Sequence, residues 1–434
     1  MLNYLILKDA NAGRLSKKEA GYYIALVIFF ITLFMGGNPV INNIAIGLLF
    51  VYTWTINSLK DKWEILRAER SIWLMIGFFL LHLVSLAWTG NKAEAGVMLG
   101  LRSPLIIFPL SLGLTRISQF LRERALVAFV MITTMVALLC LGDAVLNWKR
   151  TGDSGFMYND SLSGLVEIQS IYLAMMVNIA LFSIAWLITR DGMPSAVRSW
   201  LYLSLVVLLP FHFLLASRMA ILILYTAAAI FLAWKIVSRR LVLEGVTLVM
   251  GLVVVGFLLL KFSPKTFNRF RELGYTGYDI RSEARESHYN SELTADQWNG
   301  ANIRLAVWDC GIELAKNNML LGTGLGDKMD ELMKVYETKG FSFGVKANRN
   351  LHNNYLDAWV TFGLAGLVLM VFGWILLPMR RALRAGNFWG AIVIASFALS
   401  FISESYFDRS IGVITTCFFI CFVGAAAAGQ KKAA

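Results

Sequence analysis

The sequence predicts an all-α polytopic membrane protein of about 12 transmembrane helices with one large, partly helical external loop. Three observations lead there. Hydrophobic residues make up 57% of the 434 residues and charged ones only 16%, with a mean hydropathy of +0.62. A soluble chain of this length carries far more charge to coat its surface. The apolar residues also gather in runs close to the length that crosses a bilayer as helix, such as "SIWLMIGFFLLHLVSLAW" from Ser71 and "LYLSLVVLLPFHFLLA" from Leu201. Finally, a single long half-polar stretch, 262–351, interrupts them.

In chain order the spans fall near 21–36, 39–57, 71–88, 96–114, 124–146, 168–189, 199–216, 219–237 and 241–261, then 352–377, 387–402 and 409–427. The fourth carries Arg102 and two prolines. Residues 1–20 read as polar and no small-residue cleavage pattern follows the first apolar run, so no cleavable signal peptide is expected. With the N-terminus inside, Lys and Arg crowd the inside connections and are sparse in the short outside ones, which puts both termini in the cytoplasm. The net charge of +12 is then a cytoplasmic rim of basic residues, with acid and base nearly balanced in the long connection. A basic balance of this kind reports topology, and no nucleic-acid partner is expected. The chain divides into helices one to nine (1–261), an external loop domain (262–351), and three last helices with a short tail (352–434).

The long loop is the only sizeable connection and so the natural place for function. "ANIRLAVWDCGIELAKN" puts Ile303, Val307, Cys310, Gly311 and Leu314 on one face of an amphipathic helix. "DKMDELMKVYETKG" reads as a second helix closed by Gly340. The stretch 272–298 is polar and reads as irregular. Cys140, Cys417 and Cys421 fall within spans and Cys310 alone in the loop, so neither a disulfide nor a structural metal is expected.

Three residues at the outer edge are candidates for chemistry. Arg218, in "ASRMA", sits in a very short connection between two spans, where a charge marks a substrate path unless it only snorkels to headgroups. Arg304 lies on the loop's amphipathic helix, where an arginine can equally well face water. His352, in "LHNNYLDAWV", stands at the mouth of the tenth span, one of only four histidines. It is either a helix-start residue beside the capping Asn353 or Asn354, or a working base. "GTGLG" at 322–326 lacks the preceding strand and following GK[ST] of a phosphate loop, so it reads as a turn between the two loop helices. Asp327, Asp330 and Glu331 read as acids matched to a helix N-terminus. No external segment carries an Asp-x-Asp pair, so arginines rather than a divalent metal would have to neutralise a leaving group.

These residues carry a resemblance. "SRMA" ahead of the long loop, "NIRLAVW" on it, and "GTGLG" with "HNNYLDAWVTFGLAGL" after it make the chain similar to the bacterial O-antigen ligase family, within the O-antigen ligase/polymerase superfamily. The likeness covers the whole topology, and residue by residue the segment near 300–370 and that of Arg218. It implies a GT-C-like fold in the bacterial inner membrane with a periplasmic active site. It implies transfer of a glycan from undecaprenyl pyrophosphate to a lipid A–core sugar, metal-independent, inverting and without a cofactor. Arg218, Arg304 and His352 then match the family's functional arginines and histidine, with membrane lipids as surroundings. Asn353, Asn354 and Tyr355 beside the histidine are expected substrate contacts, and Arg102 either pairs with an acid or reaches toward the carrier's phosphates. An O-antigen polymerase or protein O-oligosaccharyltransferase would use the same donor, but usually with a second large external loop or a soluble external tail. A lipid-linked sugar transporter would instead predict paired internal repeats and ionisable groups near mid-membrane.

Overall fold

Local sequence signals start and stop the helices. Ser16 accepts the Glu19 amide while the Glu19 carboxylate accepts the Ser16 N–H, a reciprocal cap on the helix Lys17–Leu33. Ser58 and Asp61 repeat the device at Leu59–Ala68. Gly152, in the left-handed conformation at φ +75°, ends the long helix Gln119–Thr151. The structure, a computed structural model, describes residues 16–239, 250, 270–287 and 297–430. Among them eleven of the twelve apolar runs are helical, and no strand forms beyond one isolated bridge between Glu286 and Trp298. The remaining run, 241–261, lies outside the described residues.

Among the described residues five helices are long and apolar enough to cross a bilayer: Lys92–Leu114, Gln119–Thr151, Ser170–Leu187, Ser195–Leu214 and Asn354–Arg384. A sixth is added if Pro39–Thr55 and Leu59–Ala68, bent by 101°, form one broken span. Lys62 holds that bend by donating to the Thr53 carbonyl at 2.7 Å. Arg70–Ser85, Phe388–Ser400 and others are apolar but shorter. The architecture is therefore that of an all-helical polytopic membrane protein, with five or six full-length spans among the described residues.

Two of the long helices are broken where the site lies. Within Lys92–Leu114 the first segment ends at Leu101, because Pro104 has no N–H to continue the ladder, and Arg102 leaves the chain at the break. In Asn354–Met370, Gly363 is non-helical at φ 66° and ψ −165°. The turn "GTGLG" fills this second break: Thr323 N–H donates to the Val360 carbonyl at 2.9 Å and Gly324 N–H to that of Thr361 at 3.0 Å. A Cβ on Gly363 would stand 2.2 Å from the Leu320 oxygen, so only glycine admits this approach. The sequence reading of "GTGLG" as a turn between two helices is correct as far as it goes. Its glycines serve backbone contact with a membrane helix.

The bundle core is aromatic, with Phe29 stacked on Phe418 at 4.5 Å between ring centres. The loop has its own core. Ile303, Val307, Cys310 and Leu314 are buried on one face of Asn302–Asn317, against Leu332 and Tyr336 of Lys328–Lys339. Gly340 closes the second helix at φ +69°. This cluster takes in Leu356 and Val360, so it crosses the expected boundary at 351/352 and welds the loop to the helix behind it. Burial pushes the Cys310 thiol up to about 12, leaving it unreactive. The described part of the polar stretch 272–298 is irregular apart from the single turn Glu272–Gly274 and the Glu286–Trp298 bridge.

Candidate functional site

His352 is clamped from both sides. The Trp308 indole donates to the Leu351 carbonyl at 3.0 Å, and the next two residues pin the chain to the neighbouring turn: Asn353 N–H donates to Ser405 Oγ at 3.2 Å and Asn354 N–H to the Phe401 carbonyl at 2.8 Å. Asn353 caps the helix, its Oδ1 accepting the amides of Tyr355 and Leu356, each at 3.0 Å. His352 itself is left at φ +44°, an uncommon conformation for a bulky residue that only such over-determined surroundings sustain. Its Nδ1 lies 3.1 Å from Glu404 Oε2, with the imidazole partly exposed and the carboxylate buried.

The turn that carries Glu404 also receives Arg304. Arg304 Nε donates to the carbonyl of Ser403 at 3.1 Å, and its Nη1 to that of Gly300 at 2.6 Å. Arg218 opens its helix after a tight turn in which Ala216 takes φ +51°, and its Nη1 meets Glu272 Oε2 at 3.0 Å. A Cβ on Gly300 would lie 2.6 Å from Arg218 Nη2 and 3.5 Å from both Arg304 Nη1 and Glu272 Oε2. Gly300 thus marks the point where both guanidinium groups converge. Burial alone would raise the Glu404 carboxyl. Hydrogen bonding and attraction from His352, reinforced by Arg304, outweigh this and hold it below the usual carboxylate range.

Beside His352 opens a cavity of about 420 Å³. Arg349 and Arg409 line it, with Gln169, Glu94, Lys328 and Asp408. Arg218 and Arg304 are not among its lining residues. Arg349 is ion-paired with Glu286. Four residues that sequence reasoning missed therefore belong to the site: Glu404, Arg349, Arg409 and Lys328. The available signal was "SESYFDRS", a polar interruption holding Glu404, Asp408 and Arg409 between two apolar helices.

Each of the expected substrate contacts has partners within the protein. Arg102 is fully buried, with Nη2 at 2.8 Å from Asp357 and 2.6 Å from Asp408, and Nε donating to the Phe407 carbonyl. Lys328, from the loop, spans the same two acids, reaching Asp408 at 2.8 Å and Asp357 at 2.5 Å. Two cations and two carboxylates balance, and Lys328 and Asp408 of the four also line the cavity. Burial opposes ionisation of Asp408, but Lys328 and Arg102 hold its carboxyl far below the ordinary range. Asn354 is spent on the Phe407 amide and Met370 sulfur, and the Tyr355 hydroxyl on the Ala398 carbonyl at 2.7 Å. Of the acids after "GTGLG", Asp330 and Glu331 stand in the first turn of Lys328–Lys339 as expected, and Asp327 turns to the bundle. Asp327 does not cap its own helix; its carboxylate accepts the Gly90 and Asn91 amides, each at 2.7 Å.

Among the described residues no group of three or more His, Cys, Asp or Glu side chains is placed to hold a metal ion. Cations and one carboxylate-oriented imidazole around a polar cavity can bind an anionic group and accept a proton beside it. Residues 203–371 match the protein-family model described as O-antigen ligase, a segment that contains Arg218, Arg304, Glu272, Lys328 and His352. No curated protein matches the chain.

Proposed function

The chain belongs, through its 203–371 segment, to the O-antigen ligase/polymerase superfamily, and from that premise we propose that it is an inverting glycosyltransferase of the bacterial inner membrane. It moves O-antigen glycan from undecaprenyl pyrophosphate to a sugar of lipid A–core on the periplasmic side. The observation that carries this reading is the His352–Glu404–Arg304 cluster beside a cavity walled by Arg349 and Arg409.

The geometry supports the following roles. With Nδ1–H donated to Glu404, the imidazole presents Nε2 as its basic nitrogen. An acceptor hydroxyl attacks the anomeric carbon from the face opposite the pyrophosphate. The new C–O bond forms as the old one breaks, the electron pair leaves on the pyrophosphate oxygen, and the hydroxyl proton passes to His352 Nε2. Charge grows on the leaving oxygen as the bond breaks. Arginines suit it because they stay charged and offer paired donors in one plane. A preformed donor of this kind is on the order of 3 kcal/mol in a dehydrated site. Glu404 positions the base and need not titrate.

The test is direct. Purified protein in lipid discs receives polyprenyl-pyrophosphate glycan and rough lipopolysaccharide, and the products are separated by gel. A ladder built on lipid A–core is expected. Lengthening of the lipid-linked glycan without lipid A–core product would reassign the chain as a polymerase, and transfer to protein as an oligosaccharyltransferase.

A further inference from the structure

A group of arginines lies far from the cavity that holds His352. Gln169, which lines that cavity, leads into the helix Ser170–Leu187, and Trp186 stands at the far end, about 25 Å away at 1.5 Å per residue. Arg122 and Arg190 both pack on the Trp186 ring, their guanidinium carbons 4.4 and 4.0 Å from its centre. Arg122 also lies 5.3 Å from the ring centre of Trp389. Arg198 joins them, its Nη2 donating to the Arg190 carbonyl at 3.3 Å. The starts of Gln119–Thr151, Ser195–Leu214 and Phe388–Ser400 thus meet the close of Ser170–Leu187. This is the end of the bundle that the count of Lys and Arg puts in the cytoplasm.

The cluster is short of negative charge. Arg122 is only 2% exposed, and its Nη2 donates to Asn387 Oδ1 at 2.8 Å, an amide oxygen without formal charge. Among the described residues none of the three arginines forms an ion pair, and the Nε of each is buried without a hydrogen-bond partner. Glu123, next to Arg122, accepts instead from Gln119 at 2.9 Å, and Asp191 is exposed. Buried donors left unmade are costly, and like charges on one indole repel. Ser195–Leu214 adds the positive end of its dipole, since Pro194 gives its first amides no side-chain cap. An anion with several acceptor oxygens relieves all of this at once. Phosphate suits the position, because guanidinium edges pair with its oxygens in one plane.

We infer that Arg190 and Arg198, with Arg122 behind them, bind the phosphate of an acidic phospholipid from the cytoplasmic leaflet. The neighbouring surface says why the phosphate comes on a lipid. Tyr202 and Val206 follow Arg198 at one-turn intervals along the same face of Ser195–Leu214, and they are 50% and 69% exposed. An acyl chain laid along them keeps its phosphate at Arg198. Trp200 adjoins them, 47% exposed, as aromatic rings do at a headgroup boundary. Basic pockets between helices on the cytoplasmic side hold acidic headgroups by this chemistry. The bound lipid ties together the ends of four helices, and no step of the proposed reaction enters the inference.

Full-length protein purified in detergent is titrated with phosphatidylglycerol, with phosphatidylcholine of the same chains, or with glycerol phosphate, which has no chains. Bound lipid is counted by native mass spectrometry, and the melting temperature is followed. Wild type should retain phosphatidylglycerol over phosphatidylcholine and melt higher with it, while glycerol phosphate at the same concentration changes nothing. Arg190→Gln with Arg198→Gln should weaken phosphatidylglycerol binding at least tenfold. Lys60→Gln with Arg70→Gln removes two charges from exposed positions on another basic connection and should follow wild type. Equal weakening by both pairs would overturn the site in favour of diffuse attraction to a basic rim. Unchanged binding by the Arg190 and Arg198 variant would overturn it outright. A melting shift with glycerol phosphate as large as with the lipid would overturn the lipid as occupant. Should the double arginine variant not fold, Tyr202→Ser with Val206→Ser changes exposed positions alone. It should weaken phosphatidylglycerol at least threefold, and no weakening would overturn the inference.

Discussion

At the scale of single residues, His352 carries two constraints that substitution can separate. Its φ of +44° needs a residue that tolerates the left-handed region, and its ring needs Glu404. Asparagine tolerates that region better than most side chains. His352→Asn should therefore fold and insert like wild type yet lose about 100-fold or more in kcat, as removal of a general base does. An active His352→Asn would return the residue to a purely conformational role. Glu404→Gln keeps a hydrogen-bonding partner but no longer fixes which ring nitrogen holds the proton, and should lower kcat by about 100-fold with little change in KM. Both acids of the turn, Glu404 and Asp408, titrate lower in the fold than in the unfolded chain. Each stabilises the fold above the unfolded carboxylate value and gives that up as pH falls through its folded value. The melting temperature should hold down to about pH 5 and fall steadily below about pH 4. A melting temperature that rose on acidification would contradict the paired state of both carboxylates.

At the scale of elements, the loop is attached to the bundle by three kinds of contact: the ion quartet at Lys328, the Asp327 clasp on Gly90 and Asn91, and the glycine turn in the broken helix. Lys328→Met leaves a buried carboxylate uncompensated and should cost about 3–5 kcal/mol. Lys328→Met with Asp408→Asn restores neutrality around Arg102 and Asp357 and should recover most of that loss in the same unfolding measurement. Two equal, additive losses would mean the quartet acts as separate pairs. Gly363→Ala meets the Leu320 oxygen and should cost more than the about 1 kcal/mol of a positive φ alone. Gly386→Ala, at φ +64° with nothing within 4 Å, isolates that smaller term. What the sequence disclosed at this scale was periodicity: the buried face of Asn302–Asn317 and the Gly340 stop are where the pattern puts them. Partnerships across long separations were not legible. His352 and Glu404 stand 52 positions apart, and Arg102 and Asp408 306, so no local window contains either pair. Arg102 in the fourth predicted span and Asp357 inside a later apolar run were the intramembrane signs of the quartet, and their pairing could be named only from the fold.

At the scale of the whole molecule, the proposed chemistry stands on orientation. The arginines of the site serve a periplasmic donor only if the loop lies outside and the basic connections lie inside. The four native cysteines are all buried, so an impermeant maleimide should leave the wild-type protein in intact cells nearly unlabelled. That clean background lets single cysteines report topology. Glu283, with 76% of its side chain exposed, sits on the loop, and Glu64, at 51%, sits in a basic connection at the opposite end of the chain's predicted topology. Glu283→Cys should label from outside in intact cells, and Glu64→Cys only after the membrane is opened. Neither replacement removes a buried contact, so both variants should keep wild-type transfer activity, which certifies that the labelled molecules are the folded ones. Labelling in the reverse order would place Arg218, Arg304 and His352 in the cytoplasm, where the O-antigen donor is not presented, and the proposed reaction could not stand.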